Sequence, residues 1–197
     1  FNIEGPVRLS GTVNVNGSKN ASLPIMAATI LAPGKSVLKG VPHLSDITVF
    51  SQLLSRLGCQ VIREPDGQLT IDSATIDNPI GEYEIVRKMR ASICILGPLL
   101  ARCRRAQVSM PGGCAIGYRP INLHLHGLSQ LGAKIQLKNG YIIAEAPDGL
   151  KGKEIFLGGP FGSTVLGTAN ILMAATLAKG TTIIDSAACE PEIVDLA

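Results

Sequence analysis

Tryptophan is absent from the 197 residues, and the aromatic share is only 4%. A stacking platform for nucleic-acid bases therefore has no material, and a net charge of +3 is too mild for a nucleic-acid footprint. It does suit a protein that handles anionic small molecules. Long apolar runs are also missing. The best one, "VLGTANILMAATLA" (165–178), is too short to span a bilayer and carries Asn170 and two threonines. The start, "FNIEGPVRLSG", has no apolar stretch after a basic residue, so it does not read as a signal peptide. It also lacks Met, which suggests a beginning slightly inside a longer natural chain. The three histidines, His43, His124 and His126, form no zinc spacing with the cysteines, and no CxxC pair occurs. Cys59, Cys94, Cys103, Cys114 and Cys189 read as five free thiols of a reducing cytoplasm, the first three as packing in apolar segments.

What is present is repetition. The stretches 25–50, 95–125 and 172–197 each hold a small apolar helical run, a basic or glycine turn, a β-branched strand and a polar loop. In the first two a second helix follows and stops at a Leu-Gly pair, Leu57-Gly58 and Leu131-Gly132. A hairpin closes each, with Asp66-Gly67 or Asn139-Gly140 at its turn. The unit reads strand, helix, strand, helix, strand, strand, and several such units would bury their helices against one another, with sheets outside or between. The expected class is α+β with repeated βαβαββ units, two complete and a third cut short: 16–80, 81–150 and 151–197. The third unit reaches only the start of its second helix, "EPEIVDLA", which predicts that a longer parent continues with a leucine-rich helix and a glycine.

Three helix starts carry chemistry. In "NGSKNASLPIMAA" (16–28), Lys19 and Asn20 stand where a helix exposes unpaired N–H groups and partial positive charge. That is an anion site, or equally a solvated lysine beside a cap. In "VRKMRAS" (86–92), Arg90 holds the equivalent place, while Arg87 and Lys88 read as a solvated face. The third unit puts "GSTVLGTAN" there. The three starts could converge on one centre. The loop "PGGCAIGYRP" (111–120) adds a thiol, Cys114, on a glycine-rich turn with Arg119 close behind. From spacing alone that thiol could be packing, a metal ligand, a nucleophile paired with His124 or His126, or an acid.

Taken together, "NGSKNASLPIMAA", "MRASI", "PGGCAIGYRPINLHL" and "EPEIVDLA" resemble the UDP-N-acetylglucosamine 1-carboxyvinyltransferase (enolpyruvyl-UDP-GlcNAc synthase) family over the whole chain. The sister enolpyruvylshikimate-phosphate synthases share the fold, but lack the lid cysteine and start their first helix more nearly as "GSKS". The resemblance implies the enolpyruvyl transferase inverse α/β barrel fold, with two domains of three units each and an active site between them. This chain then matches one domain, with residues 1–15 expected to pair with the second. The implied reaction moves the enolpyruvyl group of phosphoenolpyruvate to the sugar 3′-hydroxyl of UDP-N-acetylglucosamine, early in peptidoglycan synthesis, with no cofactor, metal, nucleic acid or membrane. By position, Lys19 and Asn20 match the phosphoenolpyruvate pair. Arg90, Arg119, Pro120, Ile121, Asn122 and Leu123 match the UDP-GlcNAc strip, and Pro160, Phe161 and Gly162 a further nucleotide-side segment. Cys114 matches the proton donor. Two positions depart: Asn122 stands where the family usually has aspartate, and "LGG" (157–159) precedes "PFGST" where many members carry a lysine. The alternative reading is a non-catalytic ligand-binding paralogue of the same fold.

Overall fold

A computed structural model of the chain describes residues 1–112, 120–160 and 162–197. The second unit shows the repeat in full. Strand β4 (Ile80–Gly81) leads through a short helix α3 (Tyr83–Val86) and a 3-10 helix (Arg90–Ile95) into α4 (Leu96–Cys103). Strand β5 (Arg105–Ser109), helix α5 (Asn122–Gln130) and the hairpin β6 (Lys134–Lys138) and β7 (Tyr141–Glu145) complete it. The sheet order is β4-β5-β7-β6, with β4 and β5 parallel and the other pairings antiparallel.

The first unit has α1 (Lys19–Ala28), β1 (Lys35–Leu38), α2 (Ser45–Arg56), β2 (Gln60–Arg63) and β3 (Leu69–Asp72), with sheet order β1-β3-β2. No strand precedes α1 among the described residues. Apolar residues alternate with others over much of the first fifteen positions, broken by Gly5 and Gly11, and Phe1, Ile3, Val7, Leu9, Val13 and Val15 are each at least 72% exposed. Alternation alone makes no strand where no ladder partner or buried face receives it. The third unit runs β8 (Glu154–Phe156), α6 (Val165–Ala175), β9 (Ile183–Asp185) and α7 (Pro191–Leu196), with β8 and β9 parallel.

The local signals read from the sequence act as expected. In both Leu-Gly stops the glycine takes positive φ, 108° at Gly58 and 99° at Gly132. The next residue's N–H then reaches back to the helix, Cys59 to the Leu54 carbonyl and Ala133 to the Leu128 carbonyl, each at 3.1 Å. At the β6–β7 turn Asn139 and Gly140 both have positive φ, as a two-residue hairpin requires.

The helices lie inside and the sheets outside. The first helix of each unit is the most buried: Leu23, Met26 and Ala27 of α1, Leu96, Leu99 and Leu100 of α4, and Ala169, Ile171 and Met173 of α6 all belong to one core. Helix α2 adds Ile47, Phe50, Leu53 and Leu54, a 3.6-period stripe. The outer faces stay wet, as the exposed Val37, Ile62 and Leu137 of β1, β2 and β6 show. Two glycines make the inner helices meet closely. A Cβ at Gly97 would lie 2.3 Å from the Asn170 carbonyl oxygen, and one at Gly127 would lie 2.6 Å from Ile171. Among the described residues, no helix is long and apolar enough to cross a membrane.

Candidate functional site

Helix α1 begins where the sequence places it. Ser18 caps it, its Oγ accepting from the Ala21 N–H at 3.3 Å. Gly17 must be glycine here, because a Cβ would sit 1.8 Å from the Gly40 carbonyl oxygen. The turn holds Lys19 and Asn20 out at the surface. Lys19 Nζ pairs with Asp46 Oδ2 at 2.9 Å, across to the first turn of α2. With the two side chains 43% and 33% exposed, this bridge adds little stability and mainly fixes where the ammonium stands.

The second and third helix starts share one cavity of about 680 Å³. Arg90 lines it from the start of the 3-10 helix. Pro120, Asn122, Leu123 and His124 line it from the entry and first turn of α5. Gly159, Pro160, Gly162 and Ser163 close it from the loop after β8, and Thr164, Val165 and Leu166 from the start of α6. Thr164 caps α6, its Oγ1 accepting from the Gly167 N–H at 3.2 Å. The neighbouring orphan N–H groups and the positive end of the helix suit this wall to an anionic or strongly polar ligand. Arg90 is the sole charged residue among the described residues that line it.

Of the residues singled out in the sequence, Arg90, Pro120, Asn122, Leu123, Pro160 and Gly162 therefore meet in one cavity. Ile121 is buried beside them in the core, 6% exposed, and supports the strip rather than lining it. Lys19 and Asn20 do not line this cavity. Cys114, Arg119 and Phe161 lie outside the described residues. Arg87 and Lys88 are exposed, and Arg87 Nε lies 3.4 Å from Glu84 Oε2. At the base of the glycine loop Gly112 packs so closely that a Cβ would come within 2.0 Å of the Arg87 carbonyl oxygen. This ties the described root of the loop to α3.

Cys59, Cys94 and Cys103 are packing residues, as expected. Burial pushes the Cys59 thiol up to about 11 and the Cys94 thiol to about 12, and raises that of Cys103. All three are held as inert thiols at neutral pH.

His124 is the residue that sequence reasoning undervalued, weighing it only as a partner for Cys114. It is 3% exposed, and burial first, then the Arg90 charge, holds its pKa down at about 3. Its signal in the sequence was its place one turn into the helix after the "RPINL" strip. Thr164, Val165 and Leu166, which the sequence offers only as part of a third helix start, also line the cavity.

The EPSP synthase (3-phosphoshikimate 1-carboxyvinyltransferase) family matches residues 3–197. A UDP-N-acetylglucosamine 1-carboxyvinyltransferase of Methylacidiphilum infernorum is 53% identical over 197 residues, covering 100% of this chain and 46% of the relative. One from Shewanella amazonensis is 54% identical over 189 residues, covering 96% and 44%. The chain thus spans less than half the length of these relatives. Among solved structures, the enolpyruvyl transferase NikO from Streptomyces tendae superposes with a TM-score of 0.82 at 20% identity, covering 98% of this chain and 44% of that one. An EPSP synthase from Acinetobacter baumannii gives 0.68 at 19% identity, covering 93% and 42%. The helices-inside architecture, the repeated unit and a match running from residue 3 to the last residue agree: the chain belongs to the EPSP synthase family.

Proposed function

We propose that the protein carrying this chain transfers the enolpyruvyl group of phosphoenolpyruvate to the 3′-hydroxyl of UDP-N-acetylglucosamine and releases phosphate. It would do so in the cytoplasm, as an early step of peptidoglycan synthesis. The observation that carries this reading is the cavity in which Arg90, Pro120, Asn122, Leu123 and the capped start of α6 meet, in a chain about half identical to relatives of that name. Arg90 and the start of α6 suit the diphosphate of a nucleotide sugar. Lys19 and Asn20, on a separate helix start, suit the phosphate of phosphoenolpyruvate.

The chemistry is addition followed by elimination. The sugar hydroxyl oxygen bonds to C2 of phosphoenolpyruvate, C3 takes a proton, and the hydroxyl proton passes to a base. The C2–O bond to phosphate then breaks, a C3 proton leaves, and the enol ether remains. Cys114 is the proposed donor to C3. An ordinary thiol is mostly protonated at neutral pH, as an acid must be. Fixed cations and helix-start N–H groups stabilise the charge that develops, at no reorganisation cost. The base and further cations belong, in this reading, to a second domain that closes over this one and against which residues 1–15 pair.

The test is phosphate release by the full-length protein given phosphoenolpyruvate and UDP-N-acetylglucosamine. No release under any substrate ratio would reject the transferase reading. Asn122 and the lack of a lysine among the described cavity residues favour one second reading, a non-catalytic paralogue that binds the nucleotide sugar without turnover. An epoxide phosphonate such as fosfomycin, added with UDP-N-acetylglucosamine, separates the two. In a working transferase its adduct maps to Cys114 by mass spectrometry, whereas a paralogue without the lid chemistry labels Cys114 no more than its other cysteines.

A further inference from the structure

The wall of the cavity beside Arg90 is organised from behind by one buried side chain. Asn170, fully buried in α6, makes three polar contacts with three different segments. Its Oδ1 accepts from the Gly97 N–H at 2.8 Å, at the uncapped start of α4. Its Nδ2 donates to the Ile93 carbonyl at 3.0 Å and lies 2.9 Å from His124 Nδ1. The backbone partners decide which way the amide faces. A backbone N–H can only donate and a carbonyl can only accept, so a flipped amide would oppose like groups at both. The second Nδ2 hydrogen therefore points at His124 Nδ1, and that ring nitrogen must be an acceptor. A neutral imidazole with a bare Nδ1 carries its proton on Nε2.

We infer that Asn170 is a positioning residue, holding His124 as the neutral Nε2–H tautomer so that the cavity receives a fixed, uncharged hydrogen-bond donor beside Arg90. Nδ1 is engaged on the core side, and Nε2–H is the ring's remaining polar group. An imidazolium would set an N–H against an N–H of Asn170 and a second cation beside Arg90. Burial and that arginine both hold the ring neutral. Among the described residues the ligand wall then has Arg90 as its cation and His124 as a neutral donor of fixed direction. The function of that donor, contact with an oxygen of a nucleotide sugar, rests on the reading proposed above; the tautomer itself does not.

Long-range proton–nitrogen NMR on the full-length protein, labelled at histidine nitrogen and without ligand, reads the tautomer directly. We expect His124 to show a bare Nδ1 and a protonated Nε2 throughout the range from pH ~5 to ~8, where an ordinary histidine titrates. Assignment of His124 as the Nδ1–H tautomer, or as an imidazolium at neutral pH, overturns the inference. Asn170→Asp keeps an acceptor for Gly97 but has no hydrogen for His124. It should move a proton onto His124 Nδ1 and weaken UDP-N-acetylglucosamine binding about tenfold by titration calorimetry. A variant that loses stability while His124 keeps a bare Nδ1 shows Asn170 to be a packing residue alone, and defeats the inference. Should that variant not fold, the spectrum of the unmodified protein still decides the tautomer.

Discussion

Gly97 and Asn170 meet through both backbone and side chain. The Gly97 N–H donates to Asn170 Oδ1 at 2.8 Å, and the space for a Cβ at 97 is filled by the Asn170 carbonyl oxygen, 2.3 Å away. Helices α4 and α6 can lie this close only because one of them presents no side chain. The obstacle is backbone, which cannot swing aside as the end of a long side chain would.

Gly97→Ala should therefore be costly. We expect a loss of about 2–4 kcal/mol, as for overpacking and a broken buried hydrogen bond together. Urea denaturation measures it. A change below about 0.5 kcal/mol would mean that the two helices separate freely and that the contact is not a constraint.

His124 predicts a pH dependence of stability. Its folded pKa is about 3, against the ordinary 6.5 of an unfolded chain. Between those values the unfolded chain binds a proton that the folded one does not, so stability falls as pH drops from 6.5 toward 3 and is fully present above 6.5. The slope from this one group approaches about 1.4 kcal/mol per pH unit. Urea titrations at several pH values, compared between the protein and His124→Gln, isolate it. Parallel curves for the two would show that His124 titrates normally.

Lys19 and Asp46 should separate function from stability. Removing either side chain costs less than about 1 kcal/mol, because their bridge is at the surface. On the proposed reading, Lys19→Ala lowers kcat/KM for phosphoenolpyruvate by about 10²-fold or more through the lost phosphate contact. Steady-state kinetics and a thermal melt on one preparation check both halves. Unchanged kinetics would remove Lys19 from the substrate site.

Thiol labelling should be selective. Cys189 is exposed, while Cys59 and Cys94 are buried with thiols held at about 11 and about 12. Brief maleimide treatment at neutral pH should modify Cys189 and leave Cys59 and Cys94 untouched until denaturant is added. Early labelling at position 94 would reveal opening of the helical core.

Local rules were the legible part of this fold. The Leu-Gly stops and the Asn-Gly turn depend on neighbours within a few residues, and they formed where the sequence put them. Arg90 was legible for the same reason, as a cation at a helix start. The role of His124 was not, because Asn170, which fixes its ring, lies 46 positions further along the chain. Nor does the spacing of apolar residues in 1–15 name a partner for them. The period of a strand is written in the chain, but its hydrogen-bonding partner is not.

That bare segment has a practical side. From Phe1 to Val15 the chain exposes six apolar side chains on a backbone with no ladder neighbour among the described residues. Exposed apolar side chains on an unpaired backbone can add to a copy of themselves in another molecule. In concentrated solution the 197 residues by themselves would then self-associate through their first fifteen. Trimming those residues, or adding lysines among them, would be the way to keep the rest dispersed.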